Sequence, residues 1–385
     1  PIGPAGAKGP AGPVGPQGPP GPVGPASDSV WTENGLGVVY IDGRVGVGTD
    51  TPQELLHVAG DVRIDGSIQH LPNSPMDFKV YGQRALRLDP VPGAPNLIGG
   101  CFENHVTSQV AGATIAGGGA QGVPNSVSDH WGAVGGGTDN IAGDSDGDPN
   151  DSTFATVGGG GSNAASATYA TVGGGVSNIA CANGANIGGG HNNVASGGVD
   201  VIAGGSTNKT MAQYDAIGGG YMNVASGGCS TIPGGYANTA SGEYSFAAGR
   251  RATAIHNGTF VWGDNNSYQI TSSIENQFTA RASGGVRFFS DPYAEMGVSL
   301  PPNSGAWSSI SDRNKKENFV EVDSREILER VAAMPMTTWN YKSQDDAIRH
   351  IGPMAQDFYA AFNVGEDDTH ITTIDVDGVA LAAIQ

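Results

Sequence analysis

IGGGHNNVASGG, Ile187–Gly198, returns with small changes as IGGGYMNVASGG at Ile217–Gly228. The unit is an apolar residue, three glycines, two variable residues, an asparagine, one more variable residue and an alanine. Its asparagines fall at 125, 140, 163, 178, 193, 208, 223 and 238, which makes six intervals of 15 residues and one of 23. The long interval holds an insertion, GDSDGDPND, residues 143–151. A period of 15 is too short for a helix pair and suits one coil of a β-solenoid with two short strands. Val134, Val157, Val172, Ile187, Ile202, Ile217 and Ile232 then form one stacked column, and Ala165, Ala180, Ala195, Ala225 and Ala240 a smaller one. Both would line a narrow interior. Glycine permits the tight turns, and asparagine at a fixed turn position can hydrogen-bond from coil to coil. So thin a coil buries little by itself, and neighbouring chains are expected to complete its core.

Upstream, PIGPAGAKGPAGPVGPQGPPGPVGPA (residues 1–26) has glycine at 3, 6, 9, 12, 15, 18, 21 and 24 without a miss. Strict Gly-X-Y with proline is the pattern of the collagen triple helix, in which only glycine fits the crowded axis. It needs three chains. A Pro/Gly-rich linker is the alternative, but a linker has no reason to keep a period of three. Residues 27–110 alternate apolar and polar positions in VVYIDGRVGVGTDTP, LLHVAGDVRIDGSI and FKVYGQRALRLD, a β-rich neck.

The repeat spans about 111–262; GTFVWGDNN (258–266) closes it, and a β connector, 263–310, carries the strand-like FTARASGGVRFFS (278–290). From residue 311 glycine thins out. SREILERVAAM (Ser324–Met334) puts Ile327, Leu328, Val331 and Met334 on one helical face. A strand, TTWNYK, and a second helix, PMAQDFYAAF, follow, and VDGVALAAIQ ends inside helical patterning, so the C-terminal domain, 311–385, is expected to continue beyond residue 385.

Among the 385 residues 63 are glycine, roughly twice the usual share. Eighteen basic against 37 acidic residues give a net charge of −19 with no basic cluster, which disfavours nucleic acid and anionic membranes as partners. No apolar run is long enough to span a bilayer. Cys101, Cys181 and Cys229 are odd in number and widely spaced, so free thiols are expected, with Cys181 a small buried filler.

The GGGxxNxASG coils resemble the head repeats of trimeric autotransporter adhesins, which implies a left-handed parallel β-roll wound as a trimer. VGVGTDTPQELLHVAGDV resembles a neck motif of bacterial and phage tail-fibre-like proteins. SDRNKKENF, WNY, IGPMAQDF and DGVALAAIQ resemble the endosialidase-type intramolecular chaperone at the C-terminus of phage tail fibres and tailspikes. The implied whole is mainly β: a collagen-like triple helix, a β-solenoid trimer and a small α+β chaperone domain. In that family the domain helps three chains fold and then cuts itself off before a serine, with a lysine five residues on as base. Carried over, these are Ser311 and Lys316, and the scissile bond joins Ile310 to Ser311. The family's basic residue three after the serine is here Asn314, preceded by Arg313.

A serine hydroxyl is a weak nucleophile until a base takes its proton, and lysine can do so when desolvation lowers its pKa. By spacing alone, Ser311 and Asp312 suit a turn or helix cap equally well, with Lys315 and Lys316 solvated. Asp144, Asp146, Asp148 and Asn150 alternate as Ca²⁺ ligands can, but the EF-hand glycine and glutamate positions are not matched, and a solvated acidic loop is the competing account. His191, Tyr221 and Tyr236 share one place after the glycines and should stack. They could be an adhesive stripe, or could stack merely because solenoid side chains do. The expected protein is an extracellular homotrimeric fibre, on a cell surface or in a matrix, with a cell-surface or glycan receptor. The alternative is a virion tail fibre or tailspike with a receptor-binding or polysaccharide-degrading role. Any enzymatic activity at Ser311 is at most a single turnover, and no cofactor beyond Ca²⁺ is expected.

Overall fold

The computed structural model of the chain describes residues 3, 5–10, 12–15, 38–41, 43–49, 51–68 and 74–385. Two units divide between Pro72 and Asn73. In the first, the described Gly-X-Y residues are exposed and form neither helix nor strand. The Gly-X-Y triplets at 16–26 lie outside the described residues. Further on, Val38–Ile41 pairs antiparallel with Arg44–Val47, which pairs parallel with Leu56–Val58. Asp61–Ile68, read as strand-like, forms no strand and is exposed.

The second unit opens with a hairpin, Met76–Val80 and Gln83–Asp89, turned by Tyr81 and Gly82, both with positive φ. Asn96–Gly99 follows antiparallel and then becomes the first strand of a parallel stack, pairing with Thr114–Ile115. The solenoid starts here. Each coil contributes one two-residue strand to a sheet of 15 strands and one to a facing sheet of 11, counted among the described residues. Thr171–Val172 pairs in register with Thr156–Val157 and Asn186–Ile187, while Ile179–Ala180 pairs with Ala164–Ala165 and Val194–Ala195.

Because successive strand residues point to opposite faces, the second residue of each strand is the one that turns inward. The Val/Ile and Ala columns are accordingly buried, at 0–1% exposure. The stacked strands run past the repeat's sequence limits, from Asn96 to Arg281, because Phe260–Gly263 and Phe278–Arg281 keep the strand register after the glycine triplets end. Phe246, Phe260 and Phe278 stack on one another at 4.6 and 4.8 Å between ring centres.

Between the two strands of a coil the buried asparagines form a continuous ladder. Each Oδ1 accepts the backbone N–H of the next asparagine at 2.9–3.1 Å, from Asn104 through Asn125 and on to Asn238, which receives Ala252 N–H. Each Nδ2 donates to glycine carbonyls of its own and the next coil, as Asn178 does to Gly174 and Gly190 at 3.0 and 2.9 Å. The ladder explains the triplet. Gly175, with φ +90°, has the Gly190 carbonyl 2.1 Å from where a Cβ would stand, whereas Gly174 has no neighbour closer than 3.9 Å. Asn208, though it lies in a glycosylation sequon, is wholly buried in this ladder.

The three cysteines are free, but Cys181 is exposed rather than a buried filler, since it follows the inward Ala180 and so points out. Beyond the solenoid, Val286–Phe289, Gly297–Leu300 and Ser308–Ser309 form a small antiparallel sheet. The C-terminal region has helix α1 (Ser324–Ala333), the strand pair Thr337–Trp339 and His350–Gly352, helix α2 (Ala355–Phe362) and helix α3 (Thr373–Ile384). Asp323 and Thr372 cap α1 and α3 with their side chains, and Asn363 ends α2 in the left-handed conformation.

Candidate functional site

The edge strand Ser308–Ser309 stops one residue before Ile310–Ser311. Asp312 then accepts the Asn314 N–H at 2.9 Å and starts a short 3₁₀ helix, Arg313–Lys315. This tight turn folds the chain back on itself. As a result Lys316 Nζ lies 2.8 Å from Ser311 Oγ. The cap and the close Ser–Lys pair, alternatives by spacing, thus coexist: the cap belongs to Asp312 and builds the turn that brings the pair together.

Lys315 points elsewhere, to Glu295 Oε2 at 2.6 Å, and Arg313 lies over the Phe319 ring at 5.8 Å. The salt bridge ties the turn to the loop between the first two strands of the preceding sheet. Lys316 is therefore the lysine left for the serine. A donating ammonium holds Oγ in the observed contact. In the neutral state the same 2.8 Å separation would let Oγ–H donate to Nζ, as a general base requires. Ser311 and Lys316 are both exposed, so the burial that would keep a lysine neutral is not supplied by the described residues of this chain.

The C-terminal region is thinly packed. Phe358 is the only buried residue of its three helices, while Leu328, Met336, Ile351, Ile374 and Leu381 are each at least half exposed. Amphipathic helices in water bury such residues against something.

Of the alternating acidic set, Asp146, Asp148 and Asn150 are engaged in a run of turns, each backbone N–H reaching the carboxylate two residues back. Asp144 instead lies with Asp129 and Asp151, one carboxylate oxygen from each within 4.8 Å of the others. Sequence reasoning missed Asp129. The signal was the period, since Asp129 stands 15 residues before Asp144 and so stacks beneath it. His191, Tyr221 and Tyr236 do share one column, linked through Ser206, and Arg250 sits over Tyr236 at 5.5 Å. A second aromatic stack, Trp131–Phe154–Tyr169, with ring centres 4.9 and 5.2 Å apart, lies on the other turn. It was hidden in the sequence because the insertion interrupts its spacing. Among the described residues no helix is long and apolar enough to cross a membrane.

No curated protein sequence matches the chain. The family model described as chaperone of endosialidase matches residues 311–364, beginning at the serine of the Ser–Lys pair. The C-terminal region therefore carries a chaperone-of-endosialidase domain, and a β-solenoid precedes it in the chain.

Proposed function

We propose that this chain is one strand of a homotrimeric extracellular fibre, with a collagen-like stalk and an adhesive solenoid, whose C-terminal domain assembles the trimer and then severs itself between Ile310 and Ser311. The observation that carries this reading is the 2.8 Å contact between Lys316 Nζ and Ser311 Oγ at the junction of fibre and chaperone domain. The exposed apolar side chains of α1 and α3, Leu328, Ile374 and Leu381, support the assembly role, because they give neighbouring copies something to cover.

The chemistry balances on this chain's own atoms and one water. Lys316, made neutral when neighbouring chains exclude water, takes the Ser311 hydroxyl proton. Oγ attacks the Ile310 carbonyl carbon, the Ile310–Ser311 C–N bond breaks, and the departing amine takes a proton from Lys316. This leaves an ester between Ile310 and Ser311 Oγ. Water hydrolyses it, freeing the Ile310 carboxylate and restoring the serine hydroxyl. Since the base works only when desolvated, the cut follows assembly.

Intact mass of the purified protein tests this. The wild type should give two fragments divided at Ile310/Ser311, and both Ser311→Ala and Lys316→Met should give one uncut chain. A wild-type trimer that remains uncut would overturn the self-cleavage reading, and cleavage of Ser311→Ala at the same bond would overturn the assignment of the nucleophile.

A further inference from the structure

We infer that Asp129, Asp144 and Asp151 form a Ca²⁺ site that fastens the inserted loop, residues 143–151, to the solenoid coil beneath it. The cluster draws on two coils: Asp129 leaves one coil, Asp144 occupies the same place on the next, and Asp151 closes the insertion.

Asp129 carries the argument. Its side chain is almost wholly buried, at 1% exposure. Oδ2 accepts from Ser128 Oγ at 2.9 Å and from Asp144 N–H at 3.1 Å, but Oδ1 is buried with no hydrogen-bond partner. A buried carboxylate oxygen without a donor is rare unless something positively charged meets it. No lysine or arginine among the described residues pairs with any of the three carboxylates.

The chain is nevertheless built to hold these groups together. Gly143, with φ +109°, lets the backbone pass so close that a Cβ would stand 2.0 Å from Asp129 Oδ2. Ser152 Oγ donates to Asp144 Oδ2 at 3.0 Å, and Thr168 Oγ1 donates to the Asp151 carbonyl. Three like charges gathered this way repel unless a cation is shared.

The donor set selects the metal. All three ligands are hard carboxylate oxygens with no nitrogen or sulfur, which disfavours a structural zinc site and suits Ca²⁺ or Mg²⁺. Ca²⁺ fits better, because it accepts irregular geometry and additional carbonyl and water oxygens from a loop, whereas Mg²⁺ demands a near-ideal octahedron. The site is independent of the assembly and cleavage readings.

The test uses the full-length Ser311→Ala chain, so that processing does not intervene, after removal of metal with EDTA. Ca²⁺ alone is titrated by calorimetry, and protease cutting within residues 143–151 is followed in parallel. One bound Ca²⁺ per chain is expected, with cutting slowed at least about tenfold on binding. Asp151→Asn, at an exposed position, should weaken the affinity at least about tenfold, while Asp146→Asn in the same loop but outside the cluster should leave it unchanged. The buried Asp129→Asn is a further arm, read only where its circular dichroism matches the parent. No heat of binding to the folded parent, equal affinity in Asp151→Asn, or binding of Mg²⁺ in preference to Ca²⁺ would overturn the proposal.

Discussion

Replacing Asn178 with alanine tests the ladder on which the solenoid depends. Asn178 donates Nδ2 to the carbonyls of Gly174 and Gly190 and to Asn163 Oδ1, and its own Oδ1 accepts Asn193 N–H at 3.0 Å and Asn193 Nδ2 at 3.1 Å. Both asparagines are fully buried. Alanine would leave the Asn193 N–H without an acceptor in a place water does not reach, and an unmet buried donor costs about 1–3 kcal/mol. The two glycine carbonyls, only partly buried, add a smaller loss, so about 3 kcal/mol is expected in total. The control is Val176→Ala in the same turn, where the side chain is 48% exposed and the change should stay within about 0.5 kcal/mol. Urea unfolding at fixed protein concentration measures both, since assembly would otherwise shift the midpoint. Hydrogen exchange locates the effect, with lost protection expected first at Asn193 and in the adjoining coils. If Asn178→Ala proves no less stable than Val176→Ala, the ladder is a by-product of the coil geometry and not one of its supports.

Two further outcomes follow from neighbouring parts of the structure. Gly175→Ala should abolish or severely weaken folding of the solenoid, because its Cβ would meet a carbonyl at 2.1 Å in a left-handed backbone, while Gly174→Ala should melt close to the wild type. At the far end of the solenoid, Ser283 and then Arg281, at 2.8 Å, hold the Asp264 carboxyl well below its usual 3.8. A depressed carboxyl contributes stability above its unfolded pKa and loses it as the pH falls below about 4. Asp264→Asn should thus melt lower than wild type at neutral pH, with the gap narrowing between about pH 4 and 2. A gap that stays constant over that range would contradict the assignment.

Much of the fold was legible because the solenoid repeats its physics. The column Val157–Val172–Ile187 and the asparagines at 163, 178 and 193 are spaced by the coil itself, so a period of 15 carried both the inward face and the ladder. The first rung, Asn104, escaped because its coil lacks the glycine triplet. Phe278–Arg281 reads in sequence as a connector strand and not as a further coil, because its glycines are gone while the strand register persists. Ser311 and Lys316 could be named from motif resemblance, yet only the 3₁₀ turn capped by Asp312 accounts for a contact across five residues. Alternation of Asp144, Asp146, Asp148 and Asn150 reads in sequence either as ligand spacing or as a solvated acidic loop, and the Asp144, Asp146 and Asp148 carboxylates each accept the backbone N–H two residues on, as Asp does in turns. The cluster that forms instead joins residues a coil apart, which local spacing does not display.

The central claim, that three copies of this chain assemble through the C-terminal domain, is tested most directly by the solution mass of the uncut Ser311→Ala protein. One chain is 38.9 kDa. Light scattering coupled to size exclusion should return three times that mass, and should fall to the single-chain value or to aggregate when apolar residues exposed on α1 and α3, Leu328 and Leu381, are changed together to glutamate. A stable, folded monomer of 38.9 kDa from the unmodified helices would contradict it.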